Sequence, residues 1–238
     1  MKTLLQGAKR LRIGVSPKQA ETFRAYMDAL AEARPRLRLT ALTDPEAVQR
    51  RHFLEPLALL AAIEGAGPLG ERAIDVGSGA GFPGLPIKIV RPDLRLTLVE
   101  AHGKRAAFLE GLVRALGLKD VEVVNARAED AARDPAHRES YDLALARAVA
   151  PLPALLELTL PFLRVGGLLA APKGSGARRE AKEAKAALET LGGEIESIGP
   201  LDAPWAATPP TLVLVRKVSA TPERFPRRAG IPEKRPLR

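Results

Sequence analysis

Ala73-Ile74-Asp75-Val76-Gly77-Ser78-Gly79-Ala80-Gly81-Phe82-Pro83-Gly84 reads as an apolar strand that ends in an acid and runs at once into a glycine-rich turn. Such a turn opens a nucleotide pocket in an α/β sheet. The missing side chains let a ligand approach the backbone, and the next helix aims its N-terminus at it. Two familiar ligand classes are disfavoured by the same residues. The dinucleotide pattern G-x-G-x-x-G has Phe82 where its third glycine belongs. A P-loop needs Lys-Ser/Thr after its last glycine, and here Leu85 follows Gly84.

What remains, D-x-G-x-G-x-G over Asp75 to Gly81, resembles the first motif of class I methyltransferases, which bind S-adenosylmethionine. The bulk composition is compatible. A chain of 238 residues holds one α/β domain plus an extension. Its longest apolar run, Leu57 to Ile63, falls short of the ~20 residues of a membrane span. Met1 to Gln6 lacks the apolar core of a signal peptide, so a cytoplasmic location is expected. With no cysteine there is no disulfide framework, no thiolate metal site and no thiolate nucleophile for covalent pyrimidine methylation. Twenty-one prolines and only two methionines fit a thermophilic composition.

A net charge of +9 favours a polyanionic partner, because each neutralised phosphate releases counterions. The charge is uneven. Residues 216–238 carry Arg216, Lys217, Arg224, Arg227, Arg228, Lys234, Arg235 and Arg238 against Glu223 and Glu233. Lys9, Arg10, Arg12, Arg34, Arg36, Arg38, Arg50 and Arg51 add to it in the N-terminal third.

Three parts are expected. Residues 1–65 form a helical extension: Ser16 and Gln19 make a capping box, Pro17 opens the helix, and Phe23, Tyr26, Met27 and Leu30 share one apolar face. Asp44-Pro45 starts another helix, which Pro56 should kink. Residues 66–218 alternate strands (72–76, 94–99, 121–124, 141–146, 167–171, 194–198, 211–217) with helices (84–90, 104–116, 151–163, 177–191). This predicts a Rossmann-like, seven-stranded, mostly parallel sheet closed by an antiparallel strand. Residues 219–238, with Pro222, Pro226, Pro232 and Pro236, read as an extended basic tail.

In an open parallel sheet the ligand sits beyond the carboxyl ends of the strands. Glu100 ends the second strand, where a carboxylate accepts both hydroxyls of a ribose or is only an exposed strand-end charge, and Ala101 and His102 follow it along the adenosine. His52 and His137 lie too far from His102 in sequence for ligand spacing, so no metal is expected. Ala128 and Glu129 after the third strand face the adenine ring; alternatively Glu129 only starts a helix. Arg147 after the fourth strand contacts the methionine carboxylate, a phosphate or a guanine edge, or else forms a structural salt bridge. The Asp/Asn-Pro-Pro-aromatic motif of amino-methylating DNA enzymes is absent there. Lys173 borders the cleft or is a solvated turn residue.

Taken together, several segments resemble the bacterial ribosomal RNA small subunit methyltransferase G family, also called glucose-inhibited division protein B. They are Arg38-Leu39-Thr40-Ala41, His52-Phe53-Leu54, Asp75 to Ile89, Val99-Glu100 with Lys104-Arg105 and Phe108-Leu109, Arg127-Ala128-Glu129, Ala146 to Ala150, Lys173-Gly174 and Pro226 to Pro232. Glu55-Pro56 departs from the Asp-Ser of many members. The resemblance implies methylation of guanine N7 in a loop of 16S ribosomal RNA or of the small subunit, with S-adenosylmethionine as donor. The family's donor-binding residues map to Gly77, Phe82, Glu100, Ala101, His102, Ala128, Glu129 and Arg147, and Arg227, Arg228 and Lys173 fall to the RNA. Guanine N7 carries a free lone pair, so no general base is required. A methyltransferase for protein or small molecules, or an RNA-binding module without activity, are the other readings.

Overall fold

In the computed structural model, which describes residues 1–37 and 39–237, the expected alternation of strands and helices is present. Arg38 and Arg238 lie outside the described residues. Among the described residues seven strands form one sheet: β1 (Arg72–Val76), β2 (Arg95–Val99), β3 (Val121–Val124), β4 (Tyr141–Leu145), β5 (Leu163–Lys173), β6 (Gly193–Pro200) and β7 (Thr211–Lys217). Their order is β3-β2-β1-β4-β5-β7-β6. The first five are mutually parallel, and β7 runs antiparallel to both its neighbours. β1, β2 and β4 are apolar and buried almost throughout, as strands covered on both faces must be.

Each face has its own apolar cluster. On one, α2 (Pro17–Leu37) and α4 (Glu55–Ala66) pack with α5 (Gly84–Val90) and α6 (Gly103–Ala115), burying Phe23, Tyr26, Phe53, Leu57, Leu85 and Leu98. On the other, α8 (Leu152–Thr159) packs against α7 (Ala128–Ala131), α9 (Ala177–Glu183), α10 (Lys185–Leu191) and α11 (Ile231–Lys234), burying Ile74, Leu155, Leu156 and Leu188. The N-terminal helices therefore cover the sheet directly, together with α1 (Lys2–Arg10) and α3 (Pro45–Val48). Among the described residues no helix is long and apolar enough to cross a membrane.

Three expectations change in detail. The helix expected over 177–191 is two helices that meet at Ala184. β5 begins at Leu163, earlier than its apolar run: Leu163 pairs with Tyr141 ahead of a register shift, and the apolar part pairs from Leu168 onward. Pro56 does not break its helix. It sits in the first turn of α4, where its missing N–H is tolerated, and a π-helical turn over Gln49–Leu54 precedes it.

Residues 219–237 are not a free extension. They fold back on the α8 face, bury Phe225 and form the short helix α11.

Candidate active site

The glycine turn is shaped by its own backbone. Gly77, Gly79 and Gly81 have φ of 72°, 59° and 96°, a region that favours glycine. A Cβ on Gly81 would fall 2.5 Å from Leu85 and 2.6 Å from the Tyr26 hydroxyl. Asp75, next to last in β1, is fully buried. Its Oδ2 accepts the Gly84 N–H at 2.8 Å, while Oδ1 is buried without a partner among the described residues. Burial pushes its carboxyl up to about 7, against the pull of the Gly84 N–H and Arg147.

Glu100 bridges the strand ends. Its Oε2 accepts the Gly79 N–H at 2.9 Å and its Oε1 accepts the His102 N–H at 2.8 Å. The Asn125 side chain donates to the Glu100 carbonyl at 2.8 Å, which ties in the end of β3. The carboxyl termini of β3, β2, β1 and β4, which are adjacent in that order, thus present Ala128 and Glu129, Glu100 to His102, the glycine turn, and Arg147 along one rim. Gly77, Ala101 and His102 are exposed there; Glu100 and Glu129 are buried.

Phe82 organises the other wall. It stacks on Tyr26, with ring centroids 5.3 Å apart, and on His52 at 4.4 Å, and the Arg147 guanidinium lies 5.2 Å over it. Contacts of this kind contribute about 0.5–1.5 kcal/mol each. The Tyr26 hydroxyl donates to the Ala80 carbonyl at 2.6 Å, so α2 pins the turn directly. The sequence places Tyr26 only on an apolar stripe. Its one signal was that a buried tyrosine, unlike phenylalanine, needs a partner for its hydroxyl.

The π turn explains how Arg147 is held. The Glu55 N–H bonds back to Arg50 rather than to Arg51, and Pro56 has no N–H to offer. The Arg51 carbonyl is thereby released from the helix, and it accepts from Arg147 at 2.9 Å. A second Arg147 nitrogen donates to His52 Nδ1 at 3.3 Å, so His52 donates through Nε2 to the Thr40 hydroxyl at 2.7 Å. Burial, then Arg147 and Arg51, hold the His52 pKa down to about 3, and the ring is neutral in this role. Glu55 lies 3.9 Å from Arg147; burial pushes its carboxyl up, against the two arginines. Beside them a cleft of about 260 Å³ is lined by Arg51, Glu55, Arg147, Lys173, Gly174 and Pro209, among others.

Several basic residues, Lys173 and Arg227 among them, have intramolecular partners. Lys173 donates to the Ala150 carbonyl at 2.6 Å and pairs with Glu180 at 2.9 Å. Arg227 grips Glu157, which is fully buried on α8. Arg216 pairs with Glu196, and Lys217 is buried, donating to the Leu160 and Leu191 carbonyls at 3.1 Å each. Arg228 is exposed. Glu129 Oε1 accepts the Gly230 N–H at 2.7 Å and an Arg127 nitrogen at 3.3 Å, and its Oε2 is buried with no partner among the described residues. Burial of this carboxyl is outweighed by the Gly230 N–H, its own backbone and Arg127, which hold its pKa below the ordinary range. The pairings of Glu157 with Arg227 and of Glu129 with Gly230 could not be read from the sequence, since the partners lie 70 and 101 residues apart. Among the described residues no group of three metal-binding side chains occurs.

Known proteins resemble this chain over most of its length. The family model described as rRNA small subunit methyltransferase G matches residues 19–204. A protein of Roseiflexus sp. (strain RS-1) is 46% identical over 237 residues, covering 100% of both chains. One from Pelotomaculum thermopropionicum is 45% identical over 237 residues, covering 99% of this chain and 98% of its own. Both are named ribosomal RNA small subunit methyltransferase G. Among solved structures, a variant of MtNAS in complex with S-adenosylmethionine shares the fold: TM-score 0.56, 19% identity, 82% of this chain and 73% of that one.

Proposed function

The chain belongs to the rRNA small subunit methyltransferase G family, and from that premise we propose that it methylates guanine N7 in a loop of 16S ribosomal RNA. S-adenosylmethionine, the donor, supplies when bound a methyl group activated by its sulfonium. The observation that carries the reading is Glu100 locked to the glycine turn. Each of its carboxylate oxygens takes one backbone N–H, which leaves each a further acceptor position for a ribose hydroxyl.

The remaining rim residues fit the same molecule. Gly77 is exposed and without a side chain, so the backbone can be approached closely. Ala101, His102 and Ala128 flank the adenosine. Glu129 Oε2, without a partner among the described residues, supplies an acceptor for an exocyclic amine. Phe82 and Arg147 close the methionine side. The acceptor base is assigned to the cleft beside Arg147 and Gly174.

Guanine N7 has no proton to lose, and the chain offers alignment rather than a base: His52 is neutral and committed to Arg147 and Thr40. Orientation of this kind is worth an effective molarity of about 10⁵–10⁸ M. N7 lies in the deep groove of an RNA helix, so a loop or extruded nucleotide is the target. Arg228 and the other exposed cations hold surrounding phosphates. The small subunit or its RNA is the partner, and the cytoplasm the location.

Treating 16S RNA, free and within subunits, with the protein and labelled donor, then digesting to nucleosides, tests this. Labelled 7-methylguanosine is the expected product in mass spectrometry. Label on an exocyclic amine or on protein overturns the assignment.

A further inference from the structure

The segment after β7 is fastened to the body along its length. The Thr221 N–H donates to Glu139 at 2.8 Å. Arg138 donates to the Thr221 and Phe225 carbonyls at 2.8 Å each, and Arg133 to the Pro226 carbonyl at 2.6 Å. Arg227 then closes on Glu157 with its backbone N–H at 2.7 Å and its guanidinium at 2.9 and 2.6 Å. Three residues on, at φ 79°, Gly230 donates to Glu129.

A tail evolved only to sweep phosphates would leave its cations in solvent. Here two acids buried in the body, Glu157 and Glu129, receive donors from it. A buried carboxylate without a partner is costly, so the body and the segment are fitted to each other. The fit has a directional result. Gly230 at 2.7 Å and the Arg127 guanidinium at 3.3 Å together fill Glu129 Oε1, so Oε2, without a partner among the described residues, is left to a ligand.

We infer that residues 221–230 form an intramolecular strap that orients Glu129 in the donor pocket, with Arg227 as a positioning residue that sets Gly230 in place. The inference rests on the proposed role of Glu129 at the adenine. The strap couples the end of the chain to donor affinity, and Arg227 does not contact RNA.

Calorimetry of the full chain with S-adenosylhomocysteine, paired with steady-state kinetics, tests it. R227Q should bind the nucleoside about tenfold more weakly, because the turn carrying Gly230 loses its anchor. R227K should recover part of the loss, since an ammonium cannot grip both carboxylate oxygens. The KM for donor should rise while the KM for RNA and its salt dependence stay parental. Hydrogen exchange on the unsubstituted protein reads the same coupling and needs no variant to fold: added S-adenosylhomocysteine should slow exchange over 226–233. Parental nucleoside affinity in R227Q, a shallower salt dependence, or exchange indifferent to the nucleoside overturns the strap. E129Q weak and R227Q parental rejects the strap alone. Parental affinity in both E129Q and E100A removes the donor-site reading beneath it.

Discussion

Asp75 and His52 respond to acid in opposite senses. Asp75 has a folded pKa of about 7 against an ordinary 3.8, so between those values the folded chain keeps a proton that the unfolded chain has lost. Its contribution to stability is complete at low pH and declines as pH rises to about 7. His52, lowered from 6.5 to about 3, refuses a proton that the unfolded chain takes up. Its contribution is complete above the ordinary histidine range and declines as pH falls. Over pH ~4–6.5 the two slopes, each about 1.4 kcal/mol per pH unit, oppose each other. In urea unfolding across that range, Asp75→Asn should leave stability rising more steeply with pH than in the parent, and His52→Gln should leave it falling. Variants that merely parallel the parent would refute both assignments. At Glu100, Ala removes a charged acceptor worth about 1.5–3 kcal/mol, roughly 10- to 150-fold in donor affinity. Glu100→Gln, which keeps one oxygen, should lose less. Calorimetric affinities equal to the parent would exclude Glu100 from the pocket.

Among the elements, the π turn before α4 is the one most directly tied to the chemistry, since it frees the Arg51 carbonyl for Arg147. Pro56→Ala restores an N–H that competes for that carbonyl. The protein should melt no lower than the parent, yet transfer methyl groups several-fold more slowly; parental turnover would show that Arg147 does not depend on the turn. Sequence pattern announced Pro56 as an irregularity but not its form, because a kink, a break and a π turn satisfy the same missing donor. It served better where burial is two-sided: β1 and β2 are apolar runs with one reading, and the Asp75–Glu100 rim follows from where they stop. Periodicity could not show the break at Ala184, since every residue there is compatible with helix. Nor could it show which cations are spent internally. Lys173, Arg216, Lys217 and Arg227 look like solvent residues in composition, and only the fold brings Glu180, Glu196, carbonyl ends of helices and Glu157 to them.

For the whole molecule, internal pairing means that the net charge of +9 overstates neither sign nor strength but misleads on location. On the proposed function the cations that meet RNA are the exposed ones. Affinity for RNA should fall with a log–log salt slope of about −0.7 for each single-strand phosphate contact, while donor affinity changes little. Filter binding and calorimetry from low to high salt would check this; a donor affinity with the same slope would mean that the two ligands share their cations. The sheet order carries a consequence for synthesis. β7 is the last strand made, yet it lies between β5 and β6. Until it emerges, the eleven-residue Leu163–Lys173 strand has an open hydrogen-bonding edge with an apolar centre, the kind of surface that invites pairing with other chains. A nascent chain halted between residues 173 and 211 is thus adhesive, and chaperone engagement during translation should peak in that window.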